Sequence, residues 1–259
     1  MSPKTAMLFA MDNEKRMTTW CRMWNEDPSL AHGLMSDDCV QWSDRVADLD
    51  SVVGPDDQER FVTAYRARHV NIFSPRVLVD AGDRFAYLWD VEKADGRTLT
   101  GIDVNIVKDD RIQENWTFVA QRRCEQTDPE PHTAERTELA TLQDLCRDWV
   151  QLRNGRAELA AGLATDDFRL FSGTTPADDA HGPTELAGLI ERQAATNDPP
   201  AIALHRQPVF DTTRGHLALL WTARTRAHGA SVGGVDLLTT CAGRITHAWS
   251  LTGTRPFRY

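Results

Sequence analysis

From Met17 to Trp24 the chain reads MTTWCRMW, and Met17, Trp20, Cys21 and Trp24 recur at i, i+3, i+4 and i+7, the stripe of an amphipathic helix. A second short helix is predicted in SLAHGLM (29–35), halted by the polar SDD, ahead of a strand in CVQWSD (39–44). Gly54-Pro55 then opens a third helix over 56–69, because a proline in the first turn lacks only an N–H that has no intrahelical partner there. Beyond it SPRVLVDAG, RFAYLWDVEKA, TLTGIDVNIVKD and RIQENWTFVAQR read as successive long strands. Helices first and an antiparallel meander afterwards predict an α+β class, with the helices on one face of a curved sheet that encloses a cone-shaped interior.

The same pattern is written twice. GIDVNIVKDDRIQENW (101–116) returns as GVDLLTTCAGRITHAW (234–249), with Gly, Asp, Arg, Ile and Trp in matching places. Trp20 falls on Trp149, Asn25 on Asn154, Gly33-Leu34 on Gly162-Leu163, Gly54-Pro55 on Gly182-Pro183, and Trp89 on Trp221. The matches keep their order along the chain, and the offset grows only as loop insertions would make it grow. Two homologous units are therefore expected, 1–125 and 126–259, joined near the polar, proline-bearing stretch CEQTDPEPHTAE (124–135).

Three short helices, a Gly-Pro helix start and a terminal G-x-D hairpin ending in R-I-x-E/H-x-W resemble the SnoaL-like branch of the nuclear transport factor 2-like superfamily. That branch and its relatives include polyketide cyclases, ketosteroid isomerase, scytalone dehydratase and limonene-epoxide hydrolase, as well as non-catalytic binding modules, so the likeness specifies fold better than chemistry. Many members dimerise sheet against sheet. Two units in one chain then imply a covalent pseudo-dimer of two cone-shaped α+β barrels, or a chain that pairs further into a homodimer.

Strand alternation sends Ile102, Val104 and Ile106 to one face and Asp103, Asn105 and Val107 to the other, while Ile112, Glu114, Trp116 and Phe118 share a face of the next strand. Alternation leaves open which face lines the cone. A carboxylate in an apolar cavity has its pKa pushed toward neutrality, which makes Asp103 and Glu114 candidate acids or bases. Asp103 and its counterpart Asp236 can equally pair with Arg111 and Arg244 and serve only the hairpin. His247 occupies the Glu114 position in the second unit, and Asp44 becomes Gly173, so both join the catalytic candidates. Tyr65, on the third helix, is a candidate donor to a developing oxyanion. Of the eight tryptophans, Trp20, Trp89, Trp116 and Trp249 belong to repeated pairs that also suit a core, whereas Trp24 and Trp42 occur in the first unit alone. With Asn105, these six are the candidate substrate-binding residues, and indole faces suit a flat, polycyclic ligand.

Composition narrows the chemistry. A net charge of -9 without a basic cluster argues against nucleic acid as a partner. No apolar run approaches the roughly 18 residues of a membrane span, and MSPKTAMLFAMDNEK does not read as a secretory signal, so a cytoplasmic protein with a small-molecule partner is expected. Five cysteines without CxxC spacing, histidines without HxH or HExxH spacing and the absence of a glycine-rich phosphate cradle predict neither metal nor cofactor. The expectation is a cofactor-independent acid/base enzyme, a cyclase, isomerase or dehydratase, acting on a polyketide-like intermediate in the first unit. Epoxide opening by paired carboxylates and ligand binding without turnover are the alternatives.

Overall fold

The computed structural model describes residues 11–122, 135–173, 176–196, 201–224 and 231–257; the expected join over 124–134 and the first ten residues lie outside them. The first half runs α1 (Asn13–Asn25), α2 (Ala31–Leu34), β1 (Met35–Ser43), α3 (Gly54–Arg66), β2 (Asn71–Asp80), β3 (Arg84–Lys93), β4 (Thr98–Lys108) and β5 (Arg111–Gln121). Its sheet has the order β1-β5-β4-β3-β2, with β1 parallel to β5 and every other pair antiparallel. The second half repeats the order with α4 (Leu139–Arg153), α5 (Ala160–Leu163), β6 (Ala164–Ser172), β7 (Ala180–His181), α6 (Gly182–Ala194), β8 (Ala201–Leu204), β9 (Val209–Asp211), β10 (His216–Arg224), β11 (Ser231–Cys241) and β12 (Arg244–Thr252). Its sheet order is β7-β6-β12-β11-β10-β8, with β9 also on β10. The class is α+β with two curved mixed sheets. Where the first half has one long β2, the second has β8 and β9, and Pro208, which cannot donate to a ladder, stands immediately before β9.

The repeated residues have repeated jobs. The Asn25 amide brackets the backbone of Phe73, accepting from its N–H and donating to its carbonyl, both at 2.8 Å. Asn154 does the same to Ile202 at 2.7 and 2.9 Å, so in each half the helix end is pinned to the edge of the sheet. Gly54 and Gly182 adopt φ of +73° and +68°, a left-handed conformation that favours glycine, where a Cβ would stand 2.4 Å from the Asp37 carbonyl oxygen and 3.0 Å from that of Asp166. Gly101 and Gly234 make room for an indole: a Cβ would lie 2.2 Å from the Trp89 ring and 2.1 Å from the Trp221 ring.

Each sheet buries one face under its own helices. The outer faces pack on one another, with Trp42, Ile102, Val104, Trp116 and Phe118 of the first half against Phe171, Val235, Leu237, Trp249 and Leu251 of the second in one buried cluster. The chain end strengthens the contact. The Phe257 ring stands 4.9 Å from Trp42 and 5.1 Å from Trp116, and Arg255 forms a forked pair with Asp50 at 2.6 and 2.8 Å.

Gly101→Ala is expected to destabilise the protein by about 2–3 kcal/mol, because the methyl must displace a packed indole. Gly33→Ala, in a short helix with nothing within 4 Å of the new methyl, should be neutral or slightly stabilising. Chemical denaturation of the two variants reads the contrast.

Candidate functional site

The strand register lays a polar band across the helix-facing side of the first sheet. Ser43 pairs with Thr117, Thr117 with Asp103 and Asp103 with Tyr87, so four strands contribute to one rung. The adjacent rung runs Gln41, Asn115, Asn105 and Phe85. The corresponding rungs of the second sheet read Ser172, Ser250, Asp236 and Leu219, then Leu170, Ala248, Leu238 and Leu217. Only serine and aspartate keep their polarity there; amide and phenol positions become aliphatic.

Above the first band lies a cavity of about 480 Å³. Trp20, Trp24, Phe61, Tyr65, Phe73 and Trp89 supply most of its aromatic wall, Asp103, Asn115, Thr117 and Gln41 its polar floor, and Arg45, Lys93 and Gly173 also border it. Asp103 is 3% exposed and accepts four hydrogen bonds. Its Oδ1 takes the Trp89 indole N–H and the Thr117 hydroxyl, each at 2.9 Å, and its Oδ2 takes the Tyr87 hydroxyl at 2.9 Å and the Asn115 amide at 3.2 Å. All four donors are neutral. Burial raises the Asp103 pKa, and the hydrogen bonds from Trp89, Tyr87, Thr117 and Asn115 pull it only part of the way back. The Cys21 thiol beside it is pushed up to about 12, by burial first and the Asp103 charge second, which keeps it protonated and unreactive.

Asp236 keeps the same backbone position and has a different fate. Its carboxylate accepts from the Trp149 and Trp221 indoles at 2.7 and 2.9 Å and from the Arg153 guanidinium at 2.9 Å. Arg153 takes the place that Trp24 holds in the first half, and its guanidinium also lies over both indoles. The second carboxylate is therefore an internal ion pair inside an aliphatic core, while the first, at a cavity wall, has only neutral partners among the described residues.

No protein-family model matches the sequence, and no curated protein matches it. Solved structures do. A candidate isomerase of the SnoaL-like family from Agrobacterium tumefaciens superposes over 45% of this chain and 100% of its own, at 15% identity and a TM-score of 0.36. An NTF2-like protein of unknown function from Mesorhizobium loti covers 41% of this chain and 88% of its own at 23% identity and a TM-score of 0.36. IdmH, a candidate polyketide cyclase from Streptomyces antibioticus, covers 41% and 90% at 17% identity and a TM-score of 0.36. The chain is similar in structure to SnoaL-like and NTF2-like proteins. Each of these three spans less than half of it, and at these identities the SnoaL-like likeness assigns no activity.

The candidate residues divide by sheet face. Asp103, Tyr65, Trp20, Trp24 and Trp89 border the cavity. The Tyr65 hydroxyl accepts a hydrogen bond from the Asn71 amide, and its own proton meets no acceptor among the described residues. Asn105 belongs to the polar band but lies buried beside Asn115, whose amide it accepts at 2.9 Å, and is not a lining residue. Glu114, Trp116, Trp42, His247 and Trp249 do not enter the cavity, because strand parity turns them to the outer face between the sheets. There Glu114 accepts from the Trp116 indole at 3.2 Å and meets Arg206 at 3.5 Å, and His247 stacks on Trp249. Asp44 is also outside, held by the Thr254 N–H and hydroxyl and by Arg45 at 3.1 Å. Arg111 and Arg244 reach backbone carbonyls of His32 and Ala164, so neither pairs with Asp103 or Asp236.

Among the described lining residues Asp103 is the one carboxylate, so the two flanking acids of an epoxide-opening site are not brought together. Among the described residues no group of three or more His, Cys, Asp or Glu side chains is placed to hold a metal ion, and no helix is long and apolar enough to cross a membrane. Gln41, Tyr87, Asn115 and Thr117 are site residues that the sequence reading passed over. Comparing the halves position by position would have found three of them, since Leu170, Leu219 and Ala248 stand opposite Gln41, Tyr87 and Asn115.

Because the folded-state pKa of Asp103 is raised, its contribution favours folding fully below the ordinary aspartate value of about 3.9 and is lost as pH rises through the folded value. Asp103→Asn cannot ionise. Between pH 4 and 7 its unfolding free energy should therefore gain on that of the unsubstituted protein, as denaturant titrations at a series of pH values will register.

Proposed function

We propose that the chain is a cofactor-independent acid/base enzyme, a cyclase, isomerase or dehydratase, acting on a small, flat, carbonyl-bearing molecule in the cavity of the first half. The observation that carries this reading is Asp103, a fully buried carboxylate at the wall of an aromatic cavity, with a raised pKa and neutral donors only. A carboxylate so placed is a stronger base than one in water, and it is poised nearer the pH at which it must both take and return a proton.

In this reading Asp103 removes a proton from the carbon next to the substrate carbonyl. Two of its four donors, the hydroxyls of Tyr87 and Thr117, can turn from donating to accepting, so the incoming proton leaves no donor facing a donor. The negative charge moves to the carbonyl oxygen, where the Tyr65 phenol, itself supported by Asn71, offers a neutral donor. Return of the proton to another carbon completes an isomerisation. Attack of the enolate carbon on a second carbonyl closes a ring, the new alkoxide taking up the proton that Asp103 holds, and departure of a β-hydroxyl as water, protonated by Asp103, gives dehydration. The indole and phenyl rings of the wall give the anion an apolar surrounding.

The domain reading belongs with this proposal. Residues 1–125 and 126–259 are two copies of one SnoaL-like unit that form a pseudo-dimer within the chain, the first keeping the site and the second retained as the partner that covers its outer sheet face. Shared positions such as Asn25 and Asn154, with identical bonds in the two halves, support it.

The test is mass-spectrometric. The protein and its Asp103→Asn variant are incubated with small-molecule extract from the organism that carries it. The expected result is a compound consumed by the unsubstituted protein, replaced by a product of equal mass or one lighter by water, at a rate at least about a hundredfold above that of the variant. A compound that co-purifies unchanged, or a conversion that the variant performs equally fast, overturns the reading, and the first of these makes the chain a binder.

A further inference from the structure

Gln41 is the residue of the cavity that the fold does not explain. It is 4% exposed, it lines the cavity, and neither its side-chain oxygen nor its nitrogen has a hydrogen-bond partner among the described residues. An amide buried in that state loses its bonds to water and gains nothing in return. The fold does not require it, because Leu170 at the matching position of the second half sits buried in an apolar core. A polar group kept at such a position has its partner in something that enters the cavity.

The location fixes what Gln41 can read. It pairs with Asn115, which donates to Asp103, so the free amide stands in the rung next to the carboxylate. Gln121, farther along the strand that carries Asn115, also lines the cavity, as do the cations Lys93 and Arg45. Asn115 and Gln121 are six residues apart, about 20 Å along an extended strand. The Lys93 and Arg45 side chains can reach back several ångströms from the backbone. The volume of about 480 Å³ holds two or three fused rings between the aromatic walls. Lys93 is half-buried, and the charged side chains among the lining residues are these two cations and Asp103.

We infer that the cavity binds a planar hydroxylated aromatic acid, its hydroxyl or keto oxygen held by the Gln41 amide beside Asp103 and its carboxylate turned toward Lys93, since Arg45 is paired with Asp44. This rests on the proposal that the cavity is a small-molecule site, and it adds the class of molecule and its direction. The amide can donate to a keto oxygen and accept from a hydroxyl, so it serves either tautomer of an enolisable group.

Calorimetric titration with three unreactive probes tests it: 6-hydroxy-2-naphthoic acid, 2-naphthoic acid and 2-naphthol. The unsubstituted protein should bind the first about tenfold or more tighter than either of the others. Gln41→Leu should bind the two acids alike while melting no lower than the unsubstituted protein, since it removes an unpartnered amide. Gln41→Met, which keeps the side-chain length, serves the same purpose if the leucine variant does not fold. Lys93→Ala should abolish the preference for acid over naphthol. Equal affinity of the unsubstituted protein for all three probes, or an undiminished hydroxyl preference in both Gln41 variants, overturns the inference. Because these probes are not turned over, such a result leaves a positive turnover experiment with Asp103→Asn intact, and ordered binding without any turnover would overturn the enzyme proposal alone.

Discussion

A carboxylate removed from water must be compensated or it will not stay ionised. Both halves of this protein carry such a group two residues after a glycine, and the rest of the architecture follows from how each is compensated. The glycine lets an indole lie flat over the strand, and the indole N–H then reaches the carboxylate: Trp89 to Asp103 and Trp221 to Asp236, both at 2.9 Å. From that shared start the halves diverge on the sheet, where amide and phenol positions become aliphatic, and at one helix position beside the carboxylate. Arg153 brings a cation to Asp236 and closes the second interior. Trp24 brings an aromatic face to the first, where it meets Tyr65 and Phe73 with ring centroids 5.4 and 5.5 Å away, and Asp103 is left with neutral donors at the wall of a cavity.

The second half contributes more than cover for an apolar face. Gly173 borders the first cavity, and a side chain there would meet Leu251 at 2.8 Å. The chain end crosses back to the first half. Thr254 holds Asp44, and Arg255 grips Asp50 and the Ser43 carbonyl, which fixes both ends of the loop that carries Arg45, Val46 and Leu49 over the cavity. Asp44, expected as a base, is thus part of the fastening that shapes the site.

The helices and the order of the elements along the chain were legible in the sequence because each rests on local periodicity. The inward face of the hairpin was not. A sheet with one polar face declares its direction, but here the outer face is covered by a second sheet and is as rich in Trp, Ile, Val and Phe as a core. Glu114 and His247 share that outer face with Trp116 and Trp249, so they read as pocket residues when they are interface residues. Gln41 and Asn115 passed unnoticed for the converse reason, since an amide in a strand reads as surface until its neighbours are known. The exchange of Trp24 for Arg153 was visible all along; what the sequence could not supply was the distance from that guanidinium to a carboxylate far away in the chain.

The proposal on which everything else depends is that Asp103 acts as a base because its partners among the described residues are all neutral, and Trp24→Arg addresses it directly by giving the first half the residue that the second half already has. A carboxyl-carbon NMR titration of Asp103, recorded alongside turnover and a melting curve, would decide the matter. The account predicts a folded protein in which the Asp103 midpoint falls and turnover is lost. A folded variant whose Asp103 midpoint falls while turnover persists undiminished would contradict it.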